Sequence, residues 1–270
     1  MPFTLAHPAA AIPLRRVLGS YAVPSALVIG SLAPDLSNFL PIRIPRDETH
    51  SLAALFWFCL PVGLAVYLAF HCFVKRPLVS LLPWYLRRRL IPVAEPSHTL
   101  PTASPVAVVV SLLAGASTHI LWDGFTHSGA PLVRRLGALL QPLGATGAFG
   151  ENTLQLLSTA LGFLVLGIFS LRWLLRATPS ATDRSFVITP RIRAALLTLL
   201  LLAWGLLALP SGAPYLRHGL TPRGIEEFLA RAVMVGSSAS ALALVLFGAF
   251  WQMTEEEPPS RAPGSATQER

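Results

Sequence analysis

The stretch "SPVAVVVSLLAGASTHILWDGFTH", residues 104–127, decides the fold. Its first part is apolar and uncharged, and reads as a helix that can reach across a hydrocarbon core about 30 Å thick. A lone apolar segment can satisfy its backbone in lipid only as a helix. Two histidines, an aspartate and a tryptophan then follow, His119, Trp122, Asp123 and His127. His119 and Asp123 are i and i+4, so they leave one helix face about one turn apart. An imidazole nitrogen and a carboxylate oxygen at that spacing can grip one divalent metal. A structural histidine bonded to its neighbouring aspartate has the same spacing, so the pattern alone leaves both readings open.

The rest of the chain repeats the apolar theme. Of 270 residues, 53% are hydrophobic and 13% charged, and the mean hydropathy is +0.58. Soluble domains carry roughly 25% charged residues, so this is the composition of a membrane protein. The net charge of +8 does not indicate a nucleic-acid partner. Charge is sparse, and the basic residues gather at the ends of apolar runs, where they orient helices in a bilayer. Five stretches are long enough to span: 52–73, 104–122, 153–171, 194–210 and 232–251. A sixth, "VLGSYAVPSALVIGSLA" (17–33), is short and carries Pro24. It reads either as a helix buried against the others or shallow in the interface, or as a true span. The expected fold is all-α, a polytopic membrane helix bundle with five or six transmembrane helices. Residues 1–130 form an N-terminal helical module, 131–253 the C-terminal transmembrane helices, and 254–270 a tail expected to be disordered.

Pro61 is expected to kink the first span, and Cys59 and Cys72, both inside it, are expected to pack as buried thiols. "MPFTLAHPAAAIPL" lacks a basic stretch before an apolar core, so no cleaved leader is expected. The loops 74–103 and 172–193 are rich in Lys and Arg and should both face the cytoplasm. The loops 123–152 and 211–231 then face outward.

Ionisable residues at a membrane edge are functional candidates. His119 and Asp123 close the second span at its outer mouth. His50 opens the first span at that same mouth, Asp35 precedes it by a short loop, and His127 follows in the outer loop. His71 lies 21 positions beyond His50, about 31 Å along a helix, so the two cannot share a site. It reads as a packing residue, His98 and His218 as solvated, and Trp122 as an interfacial anchor.

The elements "FTLAHPAAAIPL", "PSALVIGSLAPD", the histidine at 50, "FHCFVKRPLVSLLP" and "HILWDGFTH" resemble a bacterial family of membrane proteins known as domain of unknown function 4184. More distantly they are similar to membrane-bound metal-dependent hydrolases of the DNA-damage response, and to the zinc-dependent phospholipase C and nuclease fold. The resemblance implies that Asp35, His50, His119 and Asp123 hold one metal. It further implies that Asp123 bridges to a second ion shared with His7, and that His127 serves a third. That third site calls for an HxxxE pair, which the chain lacks. Zinc is the expected ion, with manganese or iron compatible.

The expected function is an integral-membrane metal-dependent hydrolase of the bacterial inner membrane. It would act on a phosphoester or lipid-like substrate at the outer face, with His127 orienting water or substrate. The alternative is a non-enzymatic membrane protein with a structural metal site or an ion pathway.

Overall fold

The computed structural model describes residues 3–40, 44–94, 103–126, 147–181, 188–217 and 219–254. Helices account for nearly all of them, and no strand occurs among the described residues. Among the described residues five helices are long and apolar enough to cross a membrane: Leu55–Leu81, Pro105–Thr126, Gln155–Arg176, Pro190–Leu216 and Glu227–Met253. They are called the first to fifth spans below. The protein is an all-α, multi-pass membrane helix bundle. The tail expected to be disordered lies outside the described residues from 255 onward.

The first span runs past its expected end at 73 to Leu81, carrying Lys75, Arg76 and Pro77 in its last turns. Two of its turns are π-helical, Leu55–Cys59 and Phe70–Val74. The fourth span has another at Trp204–Ala208. Each precedes a proline by two or three residues: Pro61, Pro77 and Pro210. A proline inside a helix has no N–H to close the α-turn, and its ring crowds the carbonyl four residues back. A widened turn accommodates both, so Pro61 coincides with a local change of helix type. Ser51 lies in the turn that leads into this span, its Oγ accepting the Ala54 N–H at 3.1 Å. His50 therefore stands just outside the helix.

Residues 17–33 do not form one continuous span. The helix Arg15–Leu18 stops at Gly19, whose φ is 55°, a left-handed backbone that favours glycine. After a 3₁₀ turn the chain resumes as Pro24–Leu32, a helix of 9 residues, too short at 1.5 Å per residue to cross a bilayer. This short helix packs along the second span, with Ala26, Leu27, Ile29, Gly30 and Ser31 buried. Backbones touch there. A Cβ on Gly30 would collide with the carbonyl of Leu112, and one on Gly115 with the carbonyl of Leu27. Small residues that let helices approach this closely are the usual interface between helices in lipid. Ala26, Ile29, Tyr67, Val108 and Leu112 form the apolar cluster beside the contact.

The fourth and fifth spans pack on each other. The Trp204 ring lies against Gly236, and its Nε1 donates to Ser240 Oγ at 3.1 Å. Ser238 of the fifth span donates to the Phe39 carbonyl at 3.0 Å. On the other side of the molecule, the helix Trp84–Ala94 meets the segment after the third span. Arg88 Nε donates to the Ser180 carbonyl at 2.9 Å, and the Ser180 N–H donates to the Arg88 carbonyl at 2.7 Å. The two basic segments therefore share one side of the bundle.

Candidate metal centre

Four separate pieces of chain converge at the end of the second span. His119 and Asp123 come from its last turns, where both are buried. Asp35 comes from the 3₁₀ helix Ala33–Phe39 and is 1% exposed. His50 caps the short helix Arg46–Thr49. His7 lies between the 3₁₀ turn Thr4–Ala6 and the helix Pro8–Ala11, with Pro8 at a first helical position that needs no N–H. The N-terminal segment is pressed onto the third span: the Phe3 N–H donates to Thr159 Oγ1 at 3.0 Å, and Gly162 leaves room for Ala6.

The glycine contact sets the histidine. Gly30 and Gly115 bring the short helix so near that the Ser31 carbonyl lies 2.6 Å from His119 Nδ1. Pro34, three residues past Ser31, has no N–H to occupy that carbonyl in a 3₁₀ turn. His50 Nδ1 is held likewise, 3.0 Å from the Arg46 carbonyl. A carbonyl only accepts, so both Nδ1 atoms carry hydrogen and both Nε2 atoms of the neutral rings present lone pairs. Metal-ligating histidines are held in this way by the other ring nitrogen.

Those Nε2 atoms face carboxylates. His50 Nε2 is 3.3 Å from Asp35 Oδ1 and 3.3 Å from Asp123 Oδ2. His119 Nε2 is 3.3 Å from Asp123 Oδ2 and 3.7 Å from Asp35 Oδ2. No hydrogen bond closes on His50 Nε2, His119 Nε2 or Asp35 Oδ1. Ligand atoms about 2.0–2.1 Å from a tetrahedral ion stand roughly 3.3–3.4 Å apart, and the three imidazole–carboxylate separations of 3.3 Å match that spacing. On the other side Asp123 Oδ1 lies 3.6 Å from His7 Nε2. Asp123 thus offers one oxygen to each side, as a bridging carboxylate does. His7 and His119 stack with ring centroids 3.7 Å apart. Two overlapping groups could hold an ion: Asp35, His50 and His119, and His7, His119 and Asp123.

Electrostatics follow from this arrangement. Burial alone would raise the Asp35 carboxyl; the contact with His50, the charge His119 carries when protonated and the 2.7 Å hydrogen bond from Thr4 Oγ1 outweigh it and hold the group at about 2. Burial lowers His50, but contact with Asp123 and Asp35 wins and raises it above the ordinary 6.5.

The structure brings together all five residues read as ligands, His7, Asp35, His50, His119 and Asp123. His127 lies outside the described residues, as do His98 and His218. His71 takes no part; its Nε2 pairs with Ser25 Oγ at 2.9 Å, and its ring packs on Tyr67. Trp122, read as an interfacial anchor, instead donates to Ser158 of the third span at 2.7 Å. Cys59 is buried and Cys72 half-buried, both as free thiols.

Two side chains escaped the sequence reading. Thr4 lies one 3₁₀ turn before His7, where positions i and i+3 eclipse, and that spacing was its signal. Arg46 meets Asp123 Oδ2. Nothing in its sequence surroundings distinguishes it from an ordinary loop cation.

A family model described as a domain of unknown function (DUF4184) matches residues 1–249, and the chain belongs to that family. No curated protein and no solved structure matches it.

Proposed function

We propose that this family member is an integral-membrane metal-dependent hydrolase centred on His7, Asp35, His50, His119 and Asp123. One observation carries the reading: the buried His119 and the half-buried His50, their Nδ1 atoms tied to carbonyls, turn lone pairs toward two carboxylates. Lone pairs and carboxylate oxygens at 3.3 Å repel in a low-dielectric interior unless a cation lies between them. A proton can serve, but triads of imidazole and carboxylate donors such as Asp35, His50 and His119 suit a divalent ion better. Zinc fits the mixed set, with manganese or iron compatible.

Asp35, His50, His119 and Asp123 hold the first ion in this reading, and His7 with Asp123 Oδ1 a second. A bound ion lowers the pKa of its water toward 7 and polarises a phosphoryl or carbonyl oxygen. The carbonyls of Ser31 and Arg46 keep the two imidazoles aimed and in the tautomer that ligation needs. Thr4 fixes the Asp35 carboxylate. His127, four residues after Asp123 in sequence, is assigned in this reading to orienting water or substrate. The substrate is a phosphoester or a lipid-like ester, met at the outer face of a bacterial inner membrane.

The deep burial of His7, Asp35 and His119 favours a second reading, a closed structural metal site in a protein without enzymatic activity. The test is metal analysis of detergent-purified protein together with hydrolysis of phosphomonoester and phosphodiester probes. Stoichiometric metal with turnover, both lost in Asp123→Asn, supports the hydrolase. Metal without turnover of any ester supports the structural site, and metal-free wild-type protein sinks both. Reporters fused after Arg89 and Gly137 should read cytoplasmic and external; the opposite result would move the site to the inner face.

A further inference from the structure

Resting on that reading, we propose that Arg46 is the anion-binding residue of the centre, and that the substrate presents a phosphate-type anion to it rather than a neutral ester. Arg46 starts the four-residue helix capped by His50. Its guanidinium meets Asp123 Oδ2, the same oxygen that lies 3.3 Å from the Nε2 atoms of His50 and His119. It is thus in contact with the cluster itself.

Exposure sets it apart. The side chains of Asp35 and His119 are 1% and 0% exposed, those of Asp123 and His50 7% and 10%, and that of Arg46 34%. Among these side chains only Arg46 runs from the buried ligands to the surface, so it marks the side from which a substrate reaches them. A guanidinium carries five N–H donors, more than the contact with Asp123 uses, and its planar fork matches two oxygens of a phosphate at once.

Charge makes the same selection. Two carboxylates and one divalent ion cancel while the histidines are neutral. Arg46 then leaves the mouth positive, and a second ion makes it more so. Asp47 and Glu48 follow in sequence, but both are exposed and screened by water. A positive mouth over a low-dielectric interior concentrates anions. A neutral ester would leave the guanidinium without a counter-charge once Asp123 shares its own with an ion.

The test uses the full chain in detergent, loaded with zinc, with zinc content assayed for each variant. Inorganic phosphate is titrated calorimetrically into wild type, Arg46→Ala and Arg46→Lys. Two charge-assisted hydrogen bonds predict a fall in phosphate affinity of about tenfold or more in Arg46→Ala, partial recovery in Arg46→Lys, and unchanged zinc. Unchanged phosphate affinity in Arg46→Ala with zinc retained overturns the proposal and leaves the metal centre standing. Zinc lost together with the arginine means that the guanidinium only braces Asp123, which also overturns it. Wild-type protein that takes up no zinc overturns the underlying reading, and the proposal with it. A parallel titration with a short-chain phosphatidic acid separates the sources of the anion. Binding tighter than that of inorganic phosphate and lost in Arg46→Ala assigns a lipid headgroup; equal binding assigns a soluble phosphoester.

Discussion

In the second span, 39% of the most apolar stretch is buried within the protein, and in the first 22%; in the third and fourth the share is 6%, and in the fifth 11%. The polar side chains follow the same division. Among the described residues, those that are buried, from His7 and Ser31 to Asp123 and Thr126, all belong to the N-terminal part. The last three spans bury mainly glycine and alanine, and turn leucines such as Leu156, Leu201 and Leu206 outward. One part of the molecule uses its interior to concentrate charge; the other offers a greasy surface to lipid. A buried polar cluster needs close backbones and oriented carbonyls around it, and a lipid-facing helix needs neither.

The largest effect that would sharpen this contrast comes from the glycines. Gly115→Ala drives a Cβ onto the Leu27 carbonyl, whereas a Cβ on Gly205 of the fourth span meets nothing within 4 Å. We expect Gly115→Ala to cost about 3 kcal/mol and Gly205→Ala to stay within about 1 kcal/mol of wild type, read by denaturant unfolding in micelles. Comparable losses at the two sites would erase the distinction.

Next in size are the ligands. His50→Ala and Asp123→Asn should each lower bound metal by at least about tenfold, the span of loss seen even for partners of ligands. His71→Ala, on the same helix as the turns that follow His50, should leave metal content unchanged. Equal loss from His50→Ala and His71→Ala, with folding intact, would break the geometry.

Acid gives a smaller, graded effect. A proton and a metal ion compete for the lone pair of His50, whose folded pKa is raised above 6.5. Metal affinity should therefore fall as pH drops below that raised value and climb above it. In metal-free protein the sign reverses. The bound proton stabilises the fold fully below 6.5, and this contribution disappears as pH rises through the folded value. Metal titrations and melting curves between pH 5 and 8 should show opposite trends; parallel trends would remove His50 from the centre. The smallest effect belongs to the lipid-facing part. Leu201 is 73% exposed, and Leu201→Ala should change stability by no more than about 0.5 kcal/mol.

Hydropathy made the five spans legible because lipid imposes a length and a composition that few other environments demand. The end of the first span was missed, since Lys75, Arg76 and Pro77 look like a stop, yet a π-helical turn lets the helix continue to Leu81. For the cluster, the i, i+4 spacing and the antiparallel passage of two spans bring His50, His119 and Asp123 to one level. What one-dimensional reading could not reach were contacts made by backbone. The Ser31 carbonyl that orients His119 depends on two glycines touching across helices, and Arg46 stands out only once Asp123 is beside it. The turn of Trp122 toward Ser158 rather than toward the interface belongs to the same class, because it depends on where the third span packs.

The seating of the N-terminal segment has a consequence for biosynthesis. Phe3 is tied to Thr159 and Ala6 nests on Gly162, so the strap bearing Thr4 and His7 docks on a helix translated long after it. When Asp35, His50, His119 and Asp123 have all left the ribosome, the third-span part of the surface that receives the strap is still unmade. At roughly 5–20 residues per second the wait lasts some seconds, during which a half-built nest of carboxylates and imidazoles stands open beside the insertion machinery. Closure of the centre is therefore a late, vectorial event. A chain arrested before Thr159 emerges should expose His7 to chemical modification, and one arrested well after the third span should protect it.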